Sequence, residues 1–268
     1  MTRLYCIPGG GTPASVFFRW KPVFKGIAEI KTLDYKRDDT QTAEKIADGF
    51  FEKIKDELNA CDRYMFVSSC TGTLIEYELY RRIREAGLKE PSDIVVFSAF
   101  PPDTLFYSEG SYISEANRGY LRDIYLALFS SELFSAPADI ADRCADFLIK
   151  NNSGGGELVL PDNSVIGTER TYEQEIMLGF ANNTIELLRG DWGISEKYSR
   201  SAHEKCVINS RLTVVHGSAD KLVPKTAAED WKSFSGGEYT FTEVSGDHNI
   251  ITNNTAVCTD IISGLLKR

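Results

Sequence analysis

Long apolar runs are missing from this 268-residue chain; none approaches the roughly 20 residues of a membrane span. An excess of positive charge is missing as well. Thirty Lys and Arg stand against 39 Asp and Glu, a formal net charge of −9. That balance argues against nucleic acid or an anionic membrane as the main partner, since both call for a basic surface. The six cysteines (Cys6, Cys61, Cys70, Cys144, Cys206, Cys258) form no CxxC pair and no Cys/His cluster at zinc spacing, so no metal site is expected. Free thiols in a reduced, cytoplasmic protein are the expectation. The N-terminal stretch MTRLYCIPGGG is too short and interrupted for a signal peptide. Histidine is scarce, with only three residues, and neither an internal repeat nor a low-complexity tract occurs. What remains is an ordinary globular composition, 42% apolar and 26% charged, long enough for one large α/β domain or one such domain with an insertion.

Hydrophobic patterning gives the order of the elements. Short apolar runs at Arg3–Ile7, Tyr64–Val67, Ile94–Phe97, Leu212–Val215 and Tyr239–Val244 read as strands, and Ile27–Leu33 alternates like a more exposed one. Ala43, Ile46, Phe50, Ile54 and Leu58 recur at helical steps across 42–58. A second helix is expected over 74–86, closed by Gly87, and a last one over 256–266. Strands alternating with helices predict an α/β fold with a mostly parallel, doubly wound sheet. From about Thr104 to Arg200 the rhythm breaks into helical patterns (120–133, 137–150, 172–188) without a convincing strand. The expected organisation is a core of residues 1–103 and 201–268 with a helical lid insertion at 104–200.

The segment YMFVSSCTGTL, residues 64–74, runs from a strand through small residues into a helix. It is spaced like the nucleophile elbow G-x-S-x-G, with Ser68 at the first glycine and Cys70 at the serine. The turn would present the sulfur at the carboxyl edge of the sheet, with the N-terminus of the following helix favouring the thiolate; a buried, inert thiol is the competing reading. His248, in Ser245-Gly246-Asp247-His248 after the last strand, stands where such a nucleophile would find its base. His203 reads as solvated in a charged stretch of the insertion, and His216 as structural. Asp220, in HGSADKLVP, is the candidate carboxylate to orient the imidazole; Asp103 is its rival, and Asp247 adjoins the base. The order Cys70, Asp220, His248 is nucleophile, acid, base, as in α/β-hydrolases. The Thr71 N–H and one from Pro8-Gly9-Gly10-Gly11, most naturally Gly10, could receive an oxyanion. The glycines lack the spacing and lysine of a phosphate loop.

Four blocks, LYCIPGGGTPASVFFRW, FVSSCTGTLIEYELYRRI, LTVVHGSADKLVP and YTFTEVSGDHNIITNN, resemble the type II thioesterases of nonribosomal peptide and polyketide assembly lines. The resemblance implies an α/β-hydrolase fold and a triad of Cys70, Asp220 and His248, with Gly10 and Thr71 as oxyanion donors. It further implies an acyl or aminoacyl substrate on the phosphopantetheine of an acyl or peptidyl carrier protein, no cofactor of the chain's own, and a monomer. The chain departs from the family at the nucleophile, Cys with Ser68 before it in place of GHS, and in the length of the insertion. A cysteine keeps the acyl group as a thioester, so transfer to a second thiol or an amine is an alternative to hydrolysis. Other readings stay open: a noncatalytic carrier-binding protein, a chain in which serine has been exchanged for cysteine to trap an intermediate, and a hydrolase of small esters or lactones.

Overall fold

The computed structural model describes residues 1–38, 40–104, 113–152, 157–201 and 203–268. Six strands form one sheet: β1 (Thr2–Ile7), β2 (Ala28–Thr32), β3 (Tyr64–Ser69), β4 (Asp93–Phe97), β5 (Arg211–Gly217) and β6 (Tyr239–Val244), in the order β2-β1-β3-β4-β5-β6. Every neighbouring pair is parallel. Burial follows from this topology. The central strands β3 and β4 are buried almost throughout, whereas the edge strands β2 and β6 are only partly buried, because crossover helices cover both faces but not the edges. The helices are α1 (Ala43–Leu58), α2 (Gly72–Glu85), α3 (Arg118–Leu128), α4 (Pro137–Asn152), α5 (Tyr172–Arg200), α6 (Lys225–Glu229), α7 (Ile250–Asn253) and α8 (Thr255–Leu266).

The two-residue side-chain period of the strands divides the core. Tyr5, Phe66, Ile94, Val96, Leu212 and Val214 face α1 and α2 in one apolar cluster. Leu4, Cys6, Met65, Val67, Val95 and Val215 point the other way, onto Trp20, Phe24 and Ile262. Trp20 closes a 3-10 helix, Ala14–Trp20, which the sequence pattern does not announce. At the amino end of the sheet, the fully buried Asp93 carboxylate takes Arg63 and Arg211 at 2.8 Å each.

The chain divides into two compact units, residues 1–106 with 190–268, and residues 107–189. The helix expected to stop at Leu188 continues to Arg200, and from Gly190 onward it belongs to the first unit. Within the second unit α3 and α4 pack through Leu121, Tyr125, Ile140, Cys144 and Leu148, and Arg118 bridges Asp142 and Asp146. Among the described residues no helix is long and apolar enough to cross a membrane.

Candidate active site

The elbow forms where β3 must turn sharply into α2. Cys70 takes φ = +48°, the left-handed region that L-residues enter at a cost of about 1 kcal/mol or more. Three contacts hold it there. Its N–H donates to the Phe97 carbonyl at 3.1 Å, and its own carbonyl accepts from the Thr73 N–H at 3.1 Å and the Thr73 hydroxyl at 2.7 Å. The turn leaves the Cys70 side chain part-exposed, while Cys6, Cys61, Cys144 and Cys258 are buried. Burial pushes the Cys144 and Cys258 thiols up to about 12, so neither is a thiolate at neutral pH.

Two glycines bring the loop after β1 against the elbow. A Cβ on Gly9 would lie 2.2 Å from the Ser69 carbonyl oxygen, and one on Gly72 would lie 2.5 Å from that of Pro8. Backbone meets backbone there, which only glycine permits. The approach carries Gly10, at φ = +62°, alongside the nucleophile: a Cβ built on it would sit 3.4 Å from the Cys70 sulfur. Among the described residues no acceptor takes the N–H of Gly10 or of Thr71. The glycine run thus lies on the candidate nucleophile.

The other half of the site comes from the ends of β5 and β6. Ser218 N–H donates to Val244 O and Ala219 N–H to Gly246 O, both at 2.8 Å, tying the two loops together. His248 Nδ1 lies 3.0 and 3.2 Å from the two Asp220 carboxylate oxygens. Asp220 also accepts the Leu222 and Val223 N–H groups at 2.9 Å, so its fully buried carboxylate cannot swing away. Burial works against charge on His248, but the Cys70 sulfur and then Asp220 outweigh it and push the imidazole up to about 10. Cys70, His248, Gly10 and Thr12 line one cleft, with Phe97 and Ile250 as its apolar wall. A thiol, an imidazole oriented by a carboxylate, and two N–H donors form a set suited to acyl transfer.

The rival acids lie elsewhere. Asp103 is exposed and pairs with Lys205 at 3.8 Å. Asp247 accepts the Asn249 N–H and the Asn253 side-chain amide, and so holds its own turn. His216 is buried and bonds Val223 O at 2.9 Å, a structural role. His203 is not simply solvated: it stacks on Tyr198 with ring centroids 3.9 Å apart and lies in the first unit. Its position in a polar stretch hid a neighbour five residues back on a helix.

Sequence reasoning missed the groups behind the site. Asp191, fully buried on α5, accepts the Gly11 N–H at 2.9 Å and the Tyr35 hydroxyl at 2.6 Å, and pairs with Arg37 Nε at 3.1 Å. Ser195, one turn on, lies 3.2 Å from the Thr71 hydroxyl. Glu76 is buried in α2, where burial pushes its carboxyl up to about 8 against a downward pull from Ser68. Asp191 and Glu76 are charged residue types on helices, where exposure is the default, and no pattern in the sequence marks either.

Comparison with known proteins agrees with this architecture. No model of a protein family matches the chain. The Gramicidin S biosynthesis protein GrsT of Aneurinibacillus migulanus is 22% identical over 253 residues, spanning 92% of this chain and 81% of that protein. Among solved structures, RedJ, a thioesterase from the prodiginine biosynthetic pathway in Streptomyces coelicolor, superposes with a TM-score of 0.68 at 16% identity, covering 99% of this chain and 85% of RedJ. ClbQ, from the colibactin NRPS/PKS pathway, gives 0.66 at 16% identity, covering 99% and 97%. Human thioesterase 2 gives 0.59 at 16%, covering 99% and 94%. With its parallel sheet, its strand-to-helix elbow and this likeness over nearly its whole length, the chain has the α/β-hydrolase fold.

Proposed function

We propose that this chain is a thioesterase that releases acyl or aminoacyl groups from the phosphopantetheine thiol of a carrier protein in a nonribosomal peptide or polyketide pathway. The observation that carries the reading is the convergence of Cys70, at a strained elbow, with the His248–Asp220 pair and the Gly10 backbone. The likeness in structure to RedJ and ClbQ, and in sequence to GrsT, supports the pathway class.

In this reading His248 Nε2 holds the Cys70 proton while the sulfur attacks the thioester carbonyl. The carbonyl electron pair moves onto oxygen, which the Gly10 and Thr71 N–H groups receive. The C–S bond to the phosphopantetheine arm then breaks, and its sulfur leaves with the proton from His248. The acyl group is now a thioester on Cys70. Water, deprotonated by His248, adds to it, and the second collapse expels the Cys70 sulfur, which regains the proton as the free acid departs. Asp220 keeps Nδ1 protonated and the ring oriented throughout.

The cysteine favours a second reading. Acyl-S-Cys70 is nearly isoenergetic with the carrier thioester, so a second thiol or an amine can take the acyl group in place of water. Intact masses over time, with an acyl- or aminoacyl-loaded carrier, separate the two. The expected result is an adduct on the native chain, absent from Cys70→Ala, that decays to free acid. Decay only when a second thiol or an amine is added would make the chain an acyltransferase. No adduct and no release with any loaded carrier would overturn both readings.

A further inference from the structure

The groups that hold the glycine loop are not part of the triad, and their arrangement is specific. The loop has three successive glycines, with φ = +62° at Gly10 and +74° at Gly11. Such a segment has the largest backbone entropy to lose and does not fix its own N–H direction. It is fixed from behind. The Asp191 carboxylate takes the Gly11 N–H at 2.9 Å. The Tyr35 hydroxyl lies 2.6 Å from Asp191 Oδ1 and 3.2 Å from the Pro8 carbonyl oxygen. Arg37 Nε meets both Asp191 oxygens at 3.1 and 3.2 Å, while its Nη2 donates to the Thr12 carbonyl at 2.9 Å. The guanidinium also stacks on the Tyr35 ring at 4.2 Å. Contacts at Pro8, Gly11 and Thr12 therefore bracket Gly10 on both sides. Gly190 makes this possible: a Cβ on it would lie 2.6 Å from the Arg37 Cβ, so any side chain would push α5 off the segment that carries Arg37.

The same helix reaches the second donor. Ser195, four residues after Asp191 and hence on the same face of α5, contacts the Thr71 hydroxyl at 3.2 Å and donates to the Asp191 carbonyl at 3.1 Å. One turn of α5 thus touches both loops that present an N–H beside Cys70. We propose that Asp191, with Tyr35 and Arg37, is a positioning residue that aims the Gly10 N–H at the developing oxyanion. The proposal rests on the thioesterase reading above. A buried ion pair is weak evidence for stability, since apolar residues of similar volume often do as well; what this one supplies is directional bonding to three residues of a loop that could not otherwise hold its shape.

The test compares two reactions of the same sulfur. Acylation of Cys70 from a loaded carrier builds an oxyanion; modification by methyl methanethiosulfonate, a thiol–disulfide exchange read at the Cys70 peptide by mass, does not. In Asp191→Asn the first should slow about 100-fold, the scale of losing one oxyanion donor, with the second within about twofold of native. Tyr35→Phe, which keeps the ring and the ion pair, should slow acylation about fivefold, the scale of one hydrogen bond, and it decides the question if Asp191→Asn fails to fold. Acylation at the native rate in the folded variants overturns the proposal. So does a parallel fall in both reactions, which would mean that Cys70 itself had moved. A native chain that never acylates overturns the thioesterase reading and this one with it, and is distinguished by the behaviour of the native protein alone.

Discussion

At the scale of single residues, His248 is where burial and two neighbouring groups act in opposite directions. Its ring is almost fully buried, which by itself disfavours the imidazolium. The Cys70 sulfur and the Asp220 carboxylate reverse that and push it up to about 10. Removing the sulfur takes away the leading cause that raises it and leaves the desolvation untouched. His248 should therefore titrate lower in Cys70→Ala, by about 1–3 pH units, the usual reach of one close opposite charge. Nuclear magnetic resonance titration of the His248 ring in the native chain and in Cys70→Ala measures this directly. An unmoved His248 would show that thiol and imidazole do not interact, and would leave Cys70 without its base. At this scale much of the site was legible. Cys70, Asp220 and His248 each follow a strand in a turn-rich segment, and position at the carboxyl edge of a parallel sheet follows from topology alone. Asp191 was not legible, because nothing in a helical run distinguishes a carboxylate that faces inward to a glycine loop from one in water.

At the scale of elements, the joint between the β1 loop and the elbow is a backbone-to-backbone contact. The Cβ of Gly72→Ala would fall 2.5 Å from the Pro8 carbonyl oxygen, and no side-chain rotation can relieve it. The substitution should destabilise the fold by about 1–3 kcal/mol, as overpacking does, and also displace Gly10 from Cys70. Gly49→Ala is the matched control. It lies in α1 with nothing within 4 Å of its Cβ position, so it should stabilise by about 0.5–1 kcal/mol through helix propensity. Chemical denaturation of the two variants reads both signs; a Gly72→Ala protein as stable as native would show that the loop yields freely. The strands and most helices were readable because apolar residues recur with period two or near 3.6. The 3-10 helix Ala14–Trp20 was not, since FFRW satisfies neither period. α5 continues to Arg200, past Leu188 where the helical pattern was read to end, through Gly190 and Gly193, which lower helix propensity without ending the helix.

At the scale of the whole molecule, charge bears on how a chain of net charge −9 would meet the carrier of the proposed reaction. Arg81, Arg82 and Arg84 at the end of α2 are the basic cluster nearest the elbow in sequence, yet the structure gives each a carboxylate partner. Arg81 bridges Glu78 at 3.0 Å, Arg82 meets Asp48 at 2.6 Å, and Arg84 lies 3.7 Å from Glu90. The Arg81 partner Glu78 is buried, whereas the Arg82 and Arg84 pairs are part-exposed, and pairs of that kind contribute little and are screened by salt. Arg82→Ala should accordingly change the KM for a loaded carrier by less than about fivefold, the range of a surface pair. A larger rise with kcat intact would instead assign carrier docking to this helix end.

The chain's order of elements, its parallel sheet and the three candidate triad positions were determined by the sequence, because periodicity and turn chemistry are local and the topology rules then leave few arrangements. The tertiary structure places the Asp220 carboxylate, and not that of Asp103, beside the His248 ring. Asp220 and Asp103 both follow strands, and the choice rests on loops from β5 and β6 being bonded to each other at 2.8 Å while Asp103 faces solvent beside Lys205. It likewise decided that a helix 180 residues from the glycine loop holds that loop through Asp191. Such a contact joins residues with no shared period and no shared segment, so its energy exists only once the fold has closed.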